Sequence, residues 1–227
     1  GGGKTYFLLT LIEALLHTNA VLYILDPKNS DLADLGTVMP NVYHTKEEMI
    51  DCVNAFYEGM VRRSEEMKRH PNYKTGENYA YLGLPPCFLI FDEYVAFFEM
   101  LGTKESVGLL SQLKKIVMLG RQAGYFLIVA CQRPDAKYFS DGIRDNFNFR
   151  VGLGRISELG YGMLFGSDVK KQFFQKRIKG RGYCDVGTSV ISEFYTPLVP
   201  KGHDFLQTIG RLAQERQVMP EQQGKEN

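Results

Sequence analysis

Three short segments, 21–26, 87–91 and 125–131, are apolar almost throughout, and Asn, Pro, Gly or charged residues bound them. A strand that is apolar on both faces has to be covered on both, which calls for a mostly parallel sheet with helices on each side. The intervening stretches supply those helices. Apolar residues at 7, 8, 11, 12, 15 and 16 repeat at helical spacing. So do Met49, Val53, Phe56, Met60 and Met67 within 46–70, and positions 109, 110, 113, 116, 117 and 119 within 105–124, where Gly124 closes the helix. The fold class expected is α/β.

The remaining elements are fainter. A strand is expected at 41–44, a loop at 71–86 from Pro71, Gly76, Gly83, Pro85 and Pro86, and a short strand at 151–154. A helix near 157–165, strands at 182–185 and 190–199, and a final helix at 203–217 follow, with a polar, disordered tail at 218–227. With 227 residues, 44% of them hydrophobic and 23% charged, the chain has the composition of one globular domain. The net charge of +1 means that any nucleic-acid surface must be a local basic patch. No apolar run reaches the ~18 to 20 residues of a membrane span. Cys52, Cys87, Cys131 and Cys184 lie 35, 44 and 53 residues apart, which fits reduced, buried thiols rather than a metal pair or a disulfide framework. His17, His44, His70 and His203 sit in four different elements, so no metal other than Mg²⁺ is assigned.

The chain opens Gly1-Gly2-Gly3-Lys4-Thr5 and runs directly into the first helix. Gly3-Lys4-Thr5 match the last three positions of G-x-x-x-x-G-K-[ST], which places the first glycine upstream of Gly1. The expectation is a domain that starts inside its phosphate loop. Backbone N–H groups of Gly1, Gly2 and Gly3 would close around phosphate oxygens, Lys4 would neutralise β and γ charge, and Thr5 would place its hydroxyl on Mg²⁺. A glycine run also arises as a linker, so this segment is weak alone. The strand 87–91 ends in Asp92 and Glu93, and that pairing makes an NTPase the expected class. Asp92 would hold Mg²⁺ and Glu93 would orient or deprotonate the attacking water.

Two further residues refine the expectation. Gln132 ends the strand 125–131 and would sense the γ-phosphate, against the plainer reading of a strand-terminal turn amide. Arg121, in Gly120-Arg121-Gln122-Ala123-Gly124, would reach a neighbouring subunit's site as an arginine finger, against the plainer reading of a cation at a helix C-terminus.

With GGGKT, Asp26-Pro27-Lys28, the Met60-to-Arg63 stretch, Phe91-Asp92-Glu93-Tyr94, Gly120 to Gly124 and Ala130-Cys131-Gln132-Arg133-Pro134, the sequence resembles the FtsK/SpoIIIE-type DNA translocases. Within them it resembles the coupling proteins of Gram-positive conjugative elements. The resemblance runs from Gly1 to about Val199. It implies a RecA-like P-loop motor over 1–200 that assembles as a hexameric ring and pumps DNA with ATP and Mg²⁺. It further implies relaxosome or transfer-channel partners, and a place at the cytoplasmic face of the membrane through segments outside this soluble piece. Only 28 residues follow Val199, which leaves no room for a winged-helix domain and turns the expectation from chromosome segregation to conjugation. The rival from another class is a nucleotide-gated protein-binding module that is not a motor.

Lys170, Lys171, Lys176, Arg177, Lys179 and Arg181 are six basic residues with no acid among them, interleaved with Phe173 and Phe174. Such a segment suits sequence-tolerant contact with a phosphate backbone. The competing reading is a solvated cationic face with both Phe residues buried. Tyr94, Phe97 and Phe98 are expected to be core or interface packing rather than a base-stacking platform.

Overall fold

The computed structural model describes residues 2–135, 137–139, 141–174 and 177–223, the side chains of 141 and 218–223 excepted. In chain order the elements are α1 (Lys4–Leu16), β1 (Val21–Leu25), β2 (Val42–Tyr43), α2 (Lys46–Arg69), β3 (Cys87–Phe91), α3 (Tyr94–Glu99), α4 (Thr103–Ala123) and β4 (Tyr125–Val129). They continue as α5 (Asp141–Arg144), β5 (Arg150–Leu153), α6 (Glu158–Phe165), β6 (Arg181–Asp185), β7 (Ser192–Tyr195) and α7 (Phe205–Gln223). Single 3₁₀ turns lie at Ala33–Thr37 and Tyr79–Leu82.

The expected mostly parallel sheet is present as four strands in the order β2-β1-β3-β4, all parallel. Alternation along the strands splits the core in two. Leu25, Leu89 and Phe91 face one side with Met49, Val53, Phe56 and Met60 of α2, Phe97 and Phe98 of α3, and Leu109, Leu113 and Ile116 of α4. Leu22, Ile24 and Ile90 face the other with Leu8, Leu9, Ile12 and Leu16 of α1 and Ile209, Leu212 and Ala213 of α7. The last helix is thus a wall of the core. His203 is 2.8 Å from Glu13 of α1, and the Arg216 guanidinium donates to the Ala20 carbonyl. It also reaches Gln223, past the expected end at 217.

Local chemistry sets the helix ends. The Thr45 hydroxyl accepts from the Glu48 N–H at the start of α2, whose first turn carries Glu47 and Glu48 and whose last carries Lys68 and Arg69. Glu105 reaches back to the Gly102 N–H at 2.9 Å to start α4. Arg63 explains part of the Met60-to-Arg63 stretch: it donates to the Pro85 carbonyl at 2.6 Å and the Ala123 carbonyl at 3.2 Å, and lies 4.8 Å over the Tyr125 ring. One side chain of α2 thereby pins the starts of β3 and β4.

Gly120 is required by a close approach. A Cβ there would lie 2.1 Å from the Tyr125 carbonyl oxygen, where α4 turns back into β4. Alanine gains up to ~1 kcal/mol of helix propensity over glycine, but the clash costs about 1–3 kcal/mol and decides the sign. The Gly120→Ala chain is therefore expected to melt several degrees lower; an unchanged or higher melting temperature would contradict this packing.

The last three strands form a separate antiparallel sheet, β5-β6-β7, which the apolar pattern did not distinguish from the parallel one. β7 is also shorter than the 190–199 expected. Pro197 and Pro200 have no N–H to donate, and Val190 and Leu198 are 64% and 93% exposed. Tyr161, Phe165, Tyr183 and Ile191 form a small core under this sheet. The four cysteines are free thiols; Cys52, Cys87 and Cys184 are buried and Cys131 half-buried. No described helix is long and apolar enough to cross a membrane.

Candidate nucleotide site

The C-terminal ends of parallel strands are where an open α/β sheet gathers ligand-binding groups, and here three acids converge there. The register Leu25↔Phe91 brings Asp26, Asp92 and Glu93 to the same edge, and Phe91↔Val129 brings the segment 130–132 beside them. All three carboxylates are buried, at 0%, 3% and 7% exposure. Glu93 has φ 56° and ψ 55°, a left-handed conformation rare outside glycine. It turns the chain sharply from β3 into α3 and aims the carboxylate back across the strand ends, and the Tyr94 N–H is held by the Ala130 carbonyl at 2.8 Å. Strain of this kind collects at functional positions.

The N-terminus of α1 faces this edge. Gly3 caps the helix at φ 99°, which only glycine adopts readily, and Lys4 is the first helical residue. The Lys4 ammonium lies 2.9 Å from Asp92 Oδ1 and donates a hydrogen bond to Glu93 Oε1. Lys28, on the turn after β1, holds its ammonium 3.6 Å from Glu93 Oε2. Burial pushes the Lys4 pKa down, but Glu93 and Asp92 outweigh it and the net direction is up. Burial raises Asp92, against the opposing pull of Lys4. Burial would raise Glu93 as well, but Lys4, Lys28 and the backbone N–H of Gln132 together hold it below the ordinary carboxylate range.

Three acids meet two ammonium groups, so the site is one positive charge short. Asp92 Oδ1 is buried, and the cation beside it is the Lys4 ammonium at 2.9 Å, which it shares with Glu93. A divalent cation at that oxygen fits both observations. Thr5, half-buried in the first turn of α1, stands next to Lys4 as the second oxygen expected to hold it.

The other expected residues divide. Gly2 and Gly3 lie at the helix start, and Gly1 lies outside the described residues. Gln132 is beside Glu93, but its backbone N–H makes the contact while the side chain is exposed. Arg121 is at the opposite end of the sheet. It sits in the last turn of α4, before Tyr125, which pairs with Cys87 at the start of β3. Four strand steps at ~3.3 Å each put it more than about 13 Å from Asp92, so Arg121 takes no part in its own chain's site. Its exposed position leaves it open to a second subunit. In the sequence Asp26 and Lys28 enter only through the family resemblance; the pairing of two parallel strand ends is the signal that places them in the site.

Lys170, Lys171, Arg177, Lys179 and Arg181 are all exposed, and Lys176 lies outside the described residues. The two Phe residues part company. Phe173 stacks on Tyr161 with ring centroids 4.0 Å apart, whereas Phe174 is 62% exposed. The segment ends against the phosphate loop, where the Gly180 N–H donates to the Gly2 carbonyl at 2.8 Å. Tyr94, Phe97 and Phe98 are buried core at 2%, 0% and 2% exposure.

No protein-family model matches the sequence. The "Ftsk domain-containing protein YdcQ" of Bacillus subtilis is 58% identical over 210 residues, covering 92% of this chain and 44% of that protein. Over nearly its whole length the chain is thus similar to an FtsK domain-containing protein. Its fold is shared with the pCW3 conjugation coupling protein TcpA, solved with ATPγS, at a TM-score of 0.74 and 18% identity over 95% of this chain and 62% of that one. It is shared too with EssC (ATPases 2 and 3) of Geobacillus thermodenitrificans, at a TM-score of 0.67 and 17% identity over 98% of this chain and 43% of that one. The chain spans less than half the length of the Bacillus subtilis protein YdcQ.

Proposed function

We propose that this domain is the motor of an ATP-dependent DNA translocase acting in conjugative transfer, as the likeness to a conjugation coupling protein suggests. The observation that carries the reading is the convergence of Lys4, Asp92 and Glu93 at one sheet edge beside the N-terminus of α1. Lys4 and the N–H groups of the glycine loop hold the phosphates, and Thr5 and Asp92 hold Mg²⁺, which supplies charge neutralisation at the transferred phosphoryl group. Glu93 orients the attacking water and accepts its proton, Gln132 lies at the γ-phosphate, and Arg121 enters from the next subunit of a ring, a hexamer in this reading. DNA, relaxosome or transfer-channel proteins are the partners, at the cytoplasmic face of the membrane. Chromosome segregation is the related alternative.

The basic segment carries the DNA contact. Its exposed cations touch backbone phosphates without reading bases, and its link through Gly180 to Gly2 joins that contact to the phosphate loop. Replacing Lys176, Arg177 and Lys179 together with Ala is expected to weaken DNA binding and to flatten the dependence of log K on log salt by up to about three. Binding and slope that stay at wild-type values would take this segment out of the DNA path.

Translocation itself is read by displacement of streptavidin from the end of a biotinylated DNA by the full-length protein. Displacement that needs ATP and stops in Glu93→Gln supports the motor. A second reading is a nucleotide-gated protein-binding module, and hydrolysis with no displacement on single- or double-stranded DNA would favour it.

A further inference from the structure

Glu93 is a buried carboxylate whose two oxygens face two different lysines, Oε1 toward Lys4 and Oε2 toward Lys28 at 3.6 Å. Bound nucleotide competes for the first of these contacts. Lys4 is the first residue of α1, where helix dipole and free N–H groups collect anions, and an ammonium drawn to phosphate oxygens shares its three donors and loosens its hold on Glu93. Oε1 is then less firmly held while Asp26 and Asp92 remain on the same edge. A carboxylate held on one side alone swings away from that position, which ends its use as the base for water.

We propose that Lys28 is a positioning residue for hydrolysis, keeping the Glu93 carboxylate in place once Lys4 is drawn to the nucleotide. The inference rests on the reading of this site as one that hydrolyses ATP. The turn that carries Lys28 is built for a fixed reach. Asp26, wholly buried, accepts from the N–H groups of Lys28 at 3.2 Å, Ser30 at 2.8 Å and Ala33 at 3.0 Å, and from the Ser30 hydroxyl at 3.0 Å. Pro27 fixes one backbone angle, and Asn29 takes φ 48° to complete the turn. Because Asp26 holds the backbone N–H of Lys28 and not its side chain, truncating Lys28 leaves the turn standing. The ammonium is thus separable from the fold. A shift of under 1 Å closes 3.6 Å to the ~2.8 Å of a charge-assisted hydrogen bond.

Among the described residues, Lys4 and Lys28 are the cations ion-paired to Glu93. A lysine at this distance acts through charge and one donor, so arginine at the same position should serve nearly as well.

The test is steady-state ATP hydrolysis and nucleotide affinity of the full-length protein, its Lys28→Ala variant and its Lys28→Arg variant, with melting temperatures alongside. In Lys28→Ala, kcat is expected to fall about 10- to 100-fold while ATP affinity stays within about twofold and the melting temperature barely moves. Lys28→Arg should recover most of the rate. Unchanged kcat in Lys28→Ala, beside an active wild type, would overturn this inference alone. So would a loss of ATP affinity at unchanged kcat, which would put Lys28 on the nucleotide instead. A wild type that binds ATP without turning it over would overturn the hydrolytic reading and this inference with it.

Discussion

Glu93→Gln is expected to stop ATP turnover while leaving nucleotide bound. The substitution keeps the shape of the side chain and its contact with Lys4 but removes the proton acceptor, so kcat should fall about 10²- to 10⁴-fold. Affinity for ATP should hold or rise, because one negative charge leaves an edge that already has three acids to two ammonium groups. Paired measurements of turnover and of equilibrium nucleotide binding check this. Turnover within a few fold of wild type would move the base elsewhere, and loss of binding would mean that Glu93 holds the site together instead of acting in it.

Lys4→Ala is expected to act at both levels. Turnover falls at least about 10²-fold because the preorganised charge at the transferred phosphoryl group is gone. Nucleotide binding weakens as well, in contrast to Glu93→Gln. The empty domain should also lose stability. Lys4 is 26% exposed and stands between Asp92 and Glu93, at 5% and 10% side-chain exposure, so its removal strands the Asp92 carboxylate and leaves Glu93 with Lys28 alone. The cost is up to about 3 kcal/mol. Thermal melts without nucleotide separate this from a purely catalytic effect, and a Lys4→Ala domain that melts with wild type would contradict the paired geometry.

The sequence announced most strongly what is periodic or doubly apolar. Segments 87–91 and 125–131 are apolar on both faces because helices cover both sides of β3 and β4, and α2 and α4 declared themselves by spacing and, for α4, by Gly124 at its end. Strands β5 to β7 were visible as strands but not as a separate antiparallel sheet. The pairing of β5 with β6 depends on contacts 29 to 35 residues apart, such as Leu153 with Gly182, and composition carries no record of those.

At the site, Lys4 and the Asp92-Glu93 pair were legible because phosphate and cation chemistry demands those residue types in that order. Two features were not. Gln132 meets Glu93 through its backbone N–H, a group that every residue but proline possesses, so residue identity could not announce the contact. Lys28 reaches Glu93 only because β1 and β3 are neighbours in register, Leu25 opposite Phe91, which is a fact of topology. The Gly120-to-Gly124 motif mixes two origins. Gly120 answers to the Tyr125 carbonyl and Gly124 to a left-handed helix cap, whereas Arg121 answers to nothing in its own chain's nucleotide site.

The measurement that bears most directly on the account is ATP hydrolysis by the full-length protein with and without DNA, beside Lys4→Ala and Arg121→Ala. The account predicts turnover that rises with DNA, disappears in Lys4→Ala, and returns when Arg121→Ala subunits are mixed with Glu93→Ala subunits, since each then supplies what the other lacks. Slow turnover indifferent to DNA and to Arg121, or hydrolysis that survives Lys4→Ala, would contradict it.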